Sequence, residues 1–318
     1  MENPDFLMDT GHEGFILENA LLLFFWRSER KMEIKKVAVI GAGAMGTGIA
    51  YLCATKGYEV SIRDINEDLV KKGMGKIREM IATGVNRGKL TPTEAQDIIK
   101  RIKSTTDIAE AVKDADLVIE AIFEDMNLKK KLFKECDEAC PPHTILASNT
   151  STLSITEMAS ATKRPAKVIG LHFFNPAYTM KLIEVISGKQ TSEETRKIAT
   201  NFAVSLEKEP VQVKDVPGFI VNRILGAALG EAIYLLEEGV ASTEDIDKAV
   251  VLGLNWPMGP LQLADFVGLD VVYHSGKSVS EALGEDYLRK RSKPSKLLEK
   301  MVKEGRLGMK TRKGFYEY

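Results

Sequence analysis

Apolar residues along this chain follow two rhythms. Up to about residue 215, short unbroken apolar runs alternate with longer segments in which apolar positions recur every three or four residues; beyond that point only the longer rhythm remains. The runs are Val37–Ile40, YEVSIRD ending at Asp64, Asp116–Ile122, Thr144–Ala147, Lys167–Leu171, Lys181–Ser187 and Val211–Val213. Continuous apolar runs bounded by turn residues predict strands buried on both faces of a largely parallel sheet. Between them, 66 to about 87 reads as a helix, and Thr91-Pro-Thr-Glu94 opens another with a capping box and a proline at the first helical position. Those two make a helical hairpin, longer than a minimal crossover. Leu128–Ala139 is a further helix, stopped by Pro141-Pro142. After Pro217-Gly218 the strand signal vanishes. Ile220–Glu238 is a long apolar-periodic helix ended by Gly239, and Ser242 caps the next. The expectation is an α/β domain over 32–215 with a doubly wound, mainly parallel sheet and a helical insertion, followed by an all-α domain over 216–318. No internal repeat or low-complexity tract is visible.

The first strand runs into a turn with a chemical purpose. VAVIGAGAMGTGIA places Gly41, Gly43 and Gly46 between strand and helix, and Asp64 closes the second strand eighteen residues beyond Gly46. Gly41 permits the tight turn, Gly43 lets the backbone approach a pyrophosphate, and Gly46 lets the helix pack close to the strand. The free N–H groups of the helix start, around Ala44 and Met45, face the phosphates. Asp64 accepts hydrogen bonds from the adenosine ribose and repels a 2′-phosphate, which favours NAD; Arg63 beside it leaves NADP open. Strand, turn, helix and acid in register make this a strong dinucleotide signature.

Composition adds mainly exclusions. A net charge of −1 with 28% charged residues points away from nucleic acid. Cys53, Cys136 and Cys140 lack metal-ligand spacing and read as packing residues, so neither a metal nor a disulfide framework is expected and a cytoplasmic setting is. Residues 1–31 contain an apolar stretch, Phe15–Trp26, interrupted by Glu18 and Asn19; it is too short and broken to span a bilayer, and its basic cluster follows rather than precedes it. The expectation is that Met32 is the natural start or that 1–31 is a loosely attached appendage. A partner-binding or membrane-surface helix over Leu21–Trp26 is the rival.

Of the four histidines, His12 lies in the extension, His143 follows two prolines and His274 sits in a solvated helical stretch. Only His172 follows a buried strand at the carboxyl edge of the sheet, where ligands bind in open α/β folds. Glu184, in KLIEVI, lies on a strand that could run alongside, placing a carboxylate behind the imidazole to fix its tautomer and stabilise its cation.

ASNTSTLSI, GLHFFNP, MKLIEVI, PGFIVNR, EDIDKAV, PMGPLQLADFVGLD and KGFYEY, in this order between Met32 and Tyr318, resemble the short-chain 3-hydroxyacyl-CoA dehydrogenases, in particular those of bacterial 3-hydroxybutyryl-CoA type. The resemblance implies a Rossmann-type fold, NAD as cofactor, an acyl-CoA substrate, a homodimer, and interconversion of an (S)-3-hydroxyacyl-CoA with its 3-oxoacyl-CoA. It implies His172 as catalytic base with Glu184 as partner, and Ser151 and Asn222 orienting the substrate, with Asn175 near substrate and cofactor. It implies Gly41, Gly43, Ala44, Met45, Gly46, Asp64, Glu120, Lys129 and Asn149 around the cofactor. Arg87 on the hairpin matches one of two basic residues that meet the CoA phosphates; Thr83 stands where the other would be. Arg312 replaces the usual glycine before KGFY, a change expected to act locally. The alternatives are a relative acting on a free hydroxy acid, gulonate type, and a non-enzymatic dinucleotide-binding protein. The basic hairpin disfavours the first, and the intact set Ser151, His172, Glu184 and Asn222 the second.

Overall fold

The structure is a computed structural model that describes residues 33–284, 300, 302–307, 311–313 and 317. The expectations for 1–31, and most of the terminal GFYEY motif, lie outside the described residues.

Eight strands form one sheet: β1 (Lys36–Ile40), β2 (Glu59–Arg63), β3 (Ile102–Thr105), β4 (Leu117–Glu120), β5 (Ile145–Ser148), β6 (Val168–Phe173), β7 (Leu182–Ser187) and β8 (Glu209–Lys214). Their order is β3-β2-β1-β4-β5-β6-β7-β8. Every neighbouring pair is parallel except β6 and β7, which run antiparallel. Reversal of the strand order on either side of β1 opens the crevice at which doubly wound folds bind ligands.

The unbroken apolar runs follow from burial on both faces. Val37 and Val39 of β1 belong to one core, with Leu117 and Ile119 of β4 and Ile169 and Leu171 of β6; Ala38 and Ile40 point into the other, with Val118 and Leu146. The first core is covered by α1 (Ala44–Thr55), α2 (Glu67–Asn86), α3 (Pro92–Arg101) and α7 (Glu193–Ser205). The second is covered by α4 (Ile108–Val112), α5 (Met126–Ala139) and α6 (Ile155–Ala159). All three cysteines are free and buried in these layers; burial pushes the Cys140 thiol up to about 12, which suits packing and not redox chemistry.

Local signals explain most boundaries. Thr91 and Glu94 form the anticipated reciprocal capping box at the start of α3. Several elements were not anticipated, among them α4 and α6, five-residue helices too short to carry a periodic signal. β3 is a four-residue edge strand whose central Lys103 and Ser104 are exposed or nearly so, leaving no apolar run to read. α7 carries a mixed TRKIATNFAVS pattern that only docking against β6, β7 and β8 resolves. β6 also runs further than its apolar run suggests: pairing with β7 carries it through His172 to Phe173.

Beyond Lys214 the described residues form helices and no sheet strand: α8 (Val221–Glu237), α9 (Thr243–Leu254), α10 (Pro260–Val267) and α11 (Leu269–Leu283). Asp247 on α9 receives the Leu261 and Gln262 amides, at 2.8 and 2.9 Å, and so caps α10 from a neighbouring helix. Arg312 adopts φ 55°, in the left-handed region that favours glycine. No helix among the described residues is long and apolar enough to cross a membrane.

Candidate active site

The sheet gathers the candidate residues at its carboxyl edge. The glycine turn follows β1, Asp64 follows β2, Glu120 ends β4, Asn149 and Ser151 follow β5, and His172 lies near the end of β6.

His172 and Glu184 face one another across the β6–β7 pair, in direct register. His172 Nδ1 lies 2.7 Å from Glu184 Oε2, and the two residues are 4% and 1% exposed. The strands' alternation fixes the direction of both side chains. Ile183 and Val185 fill the first core, so Glu184 must point to the opposite face, where His172 emerges. The other carboxylate oxygen, Oε1, accepts from the backbone N–H groups of Ile220 and Val221, at 3.0 and 3.1 Å. These open α8, which has no capping side chain of its own. Burial opposes ionisation of Glu184, but the His172 hydrogen bond and the two amides outweigh it and hold the carboxyl below the usual carboxylate range. An ionised Glu184 has no proton to give, so Nδ1 carries the hydrogen and the lone pair of neutral His172 is on Nε2. Phe174 and Phe219 flank the ring, with centroids 4.5 and 5.8 Å away. Phe219 is buried with φ 49°, a strained backbone beneath the imidazole at the junction with α8.

The glycine turn has the dimensions of a phosphate cradle. A Cβ on Gly41 would lie 2.4 Å from the Ala121 carbonyl oxygen, and one on Gly46 would lie 1.8 Å from the Gly41 oxygen, whereas Gly43 faces open space. Gly43 is also the N-cap of α1, with no side-chain cap and no acidic residue in the first turn. The N–H groups around Ala44 and Met45 therefore remain for an anion. Asp64 holds the turn from the next strand: its carboxylate accepts the Ala42 and Ile65 amides, both at 2.7 Å. This arrangement fits a dinucleotide. Ile65 and Phe123, at 71% and 86% exposed, add apolar surface at the ends of β2 and β4.

Glu120 and Lys129 lie deeper than their assignment as cofactor contacts implies. Both are 1% exposed and their charged atoms are 2.6 Å apart. Lys129 Nζ also reaches Glu124 at 3.2 Å and the Ile122 carbonyl at 3.5 Å, so its three N–H bonds end within the protein. Burial pushes the Glu120 carboxyl up, while Lys129, Ser148 and the Ile122 amide pull against it. Through its second oxygen Glu120 receives the Ser148 hydroxyl at 2.6 Å.

The remaining residues separate into two groups. Asn149 accepts the amide of Phe173, the neighbour of His172, at 2.9 Å, and Asn222, one residue past the Val221 amide held by Glu184, donates to the Ser151 carbonyl at 3.3 Å. Asn175 is exposed, one residue past Phe174, before a cis peptide to Pro176. Arg87 stands apart as the exposed C-cap of α2, about 30 Å along that helix from its start. The residue passed over in the sequence is Glu124, in a loop with no periodic signal, which meets five donors. Among the described residues no cluster could hold a metal ion.

Comparison with known proteins identifies the family. The profile of the 3-hydroxyacyl-CoA dehydrogenase NAD binding domain matches residues 36–216, and that of the family's C-terminal domain matches 218–318. The chain belongs to the 3-hydroxyacyl-CoA dehydrogenase family. It is 47% identical over 287 residues to a probable 3-hydroxybutyryl-CoA dehydrogenase of Bacillus subtilis, covering 90% of this chain and 98% of that one. It is 46% identical to the 3-hydroxybutyryl-CoA dehydrogenase of Clostridioides difficile, covering 89% and 99%. The crystal structure of (S)-3-hydroxybutyryl-CoA dehydrogenase from Ralstonia eutropha superposes with a TM-score of 0.78 at 40% identity, covering 90% and 99%. This 3-hydroxyacyl-CoA dehydrogenase is accordingly an NAD-dependent oxidoreductase.

The lowered carboxyl of Glu184 predicts a pH effect. A depressed folded-state pKa contributes stability above the unfolded value, about 4.3, that is lost as pH falls through the folded one. Glu184→Gln should lower thermal stability at neutral pH and flatten its acid-side loss below about pH 4.3, read by a melting series from pH 7 to 3. A variant whose curve parallels the parent throughout would refute the assignment.

Proposed function

We propose that His172 is the general base and acid of a short-chain (S)-3-hydroxyacyl-CoA dehydrogenase, with 3-hydroxybutyryl-CoA and acetoacetyl-CoA as its substrate pair. The observation that carries this reading is the buried 2.7 Å contact of His172 Nδ1 with an ionised Glu184 at the crevice of a dinucleotide fold. In the oxidation direction His172 Nε2 takes the proton of the 3-hydroxyl; in reduction the imidazolium returns it. Glu184 stabilises the imidazolium and keeps Nε2 turned toward the substrate. NAD, when bound, supplies the acceptor for the hydride from C3. Ser151, Asn175 and Asn222 orient the substrate oxygen, so the reacting geometry is set before the proton moves. Gly41, Gly43, Ala44, Met45, Gly46 and Asp64 hold the dinucleotide, and Glu120 and Lys129 act on it through the loops they anchor. Arg87 meets the CoA phosphates. The names of the relatives favour the four-carbon substrate.

The reading divides the labour between a dinucleotide domain over 32–215 and a helical domain over 216–318 that completes the substrate site and pairs with a second copy of the chain. The helical segment leaves Ile224, Tyr234, Leu252, Leu254 and Phe266 between 61% and 78% exposed, more apolar surface than a lone domain usually shows. A twofold interface between identical helical domains covers it.

The test is oxidation of NADH with acetoacetyl-CoA, beside free acetoacetate and beside NADPH. Fast turnover is expected only with NADH and the CoA ester. His172→Ala should lower kcat by roughly 10²- to 10⁴-fold with NADH binding unchanged. Near-normal turnover of that variant would reject His172 as the base, and activity confined to the free acid would reject the CoA substrate. Sedimentation equilibrium should give twice the chain mass of 35.2 kDa; a monomer at micromolar concentration would reject the pairing.

A further inference from the structure

Glu124 lies in the short loop between β4 and α5, four residues after Glu120. Its Oε1 accepts the Thr150 hydroxyl, the Ser151 amide at 3.0 Å, the Thr152 amide at 3.1 Å and the Thr152 hydroxyl at 3.1 Å. Its Oε2 faces Lys129 Nζ at 3.2 Å. The segment 150–152 thus wraps one carboxylate oxygen, with two consecutive backbone N–H groups and two hydroxyls aimed inward. Thr150 closes the ring by accepting the Leu153 amide at 2.9 Å. The Thr152 amide also reaches the Thr150 hydroxyl at 3.3 Å, but the carboxylate is the stronger acceptor, since charge-assisted hydrogen bonds are about twice as strong as neutral ones. Burial opposes charge on Glu124, yet Lys129, the Thr150 hydroxyl and the Ser151 amide hold its carboxyl below the ordinary range.

What this loop presents gives the clasp its consequence. Ser151 lies at its centre, and the Ser151 carbonyl receives Asn222 Nδ2 from α8 at 3.3 Å. One fixed peptide therefore locates two of the side chains assigned to the substrate oxygen. We propose that Glu124 is a positioning residue of the reaction: held by Lys129, it sets the conformation of 150–152 and through it the placement of Ser151 and Asn222. This rests on the reading that Ser151 touches the substrate.

The experiment compares Glu124→Ala, Glu124→Gln, Ser151→Ala and the Glu124→Ala/Ser151→Ala double variant by steady-state kinetics with acetoacetyl-CoA and NADH. Glu124→Ala should lower kcat by roughly 10- to 100-fold, as misplacement of a positioned group does, with the KM for NADH within about threefold of the parent. Glu124→Gln, which keeps an acceptor oxygen for the loop but turns an amide N–H2 toward Lys129, should recover part of the rate and stay below the parent. The double variant should be no slower than the slower single one, because both changes remove the same placement. If Glu124→Ala does not fold, Glu124→Asp, one methylene short of the loop, serves in its place. Losses that multiply in the double variant, or a loss confined to the KM for NADH, would overturn the proposal. Ser151→Ala at the parent rate would overturn instead the Ser151 reading beneath it; Ser151→Ala impaired with Glu124→Ala unimpaired would overturn the Glu124 proposal alone.

Discussion

The Glu184 carboxylate is the point on which this structure turns. One oxygen holds His172, and the other holds the first two amides of α8, so a single buried anion joins the candidate base to the helical segment. It is a favourable place for a charge. The helix start presents free N–H groups and the positive end of its dipole, and the imidazole presents another donor. Removing the carboxylate would orphan three donors at once, the buried His172 ring N–H and two part-buried amides. The β6–β7 reversal makes the arrangement possible. With parallel strands the eight residues between Phe173 and Leu182 would leave no room for a crossover, whereas antiparallel pairing puts His172 and Glu184 directly opposite.

A second charge system, buried at Glu120 and Lys129 and open to solvent at Glu124, stands beside the first. Glu120, Lys129 and Glu124 alternate in sign, with Ser148 and the amides of 151 and 152 filling the remaining positions. Taking such groups from water is costly, and the cost is repaid only by near-complete hydrogen bonding, which is what these contacts provide. The return is rigidity at a place where the chain would otherwise be a free loop. On its far side the same segment is anchored by Asp215, just past β8, which receives the Ser154 hydroxyl at 2.8 Å and the amides that open α6. Loop and linker to α8 are thus tied together, and the crevice walls are set before any ligand arrives.

The sheet, the glycine turn, the capped hairpin and the His172–Glu184 pair could be read from the chain because each rests on a periodic or local signal. Buried strands give apolar runs, Thr91 and Glu94 need only each other, and Glu184 betrays itself as a lone acid in KLIEVI. What escaped depends on tertiary contacts. β3 is an edge strand with polar centres, and α7 takes its face from the strands beneath it. The family resemblance puts Glu120 against the cofactor, but its side chain turns inward to Lys129. Glu124, four residues on, meets the loop at 150–152 only because β4 and β5 are neighbours, and no spacing rule in the sequence encodes that meeting.

The most direct test of the account is the protonation of the His172 ring itself. With ¹⁵N-labelled protein, nitrogen resonances assigned by loss in His172→Ala report which ring nitrogen carries the hydrogen, and only four histidines compete for assignment. At a pH where the ring is neutral, Nδ1 should be protonated and Nε2 bare, with both protonated in the cation. A neutral ring with its hydrogen on Nε2 would mean that Glu184 is not an ionised acceptor of His172, and the pair could not act as described.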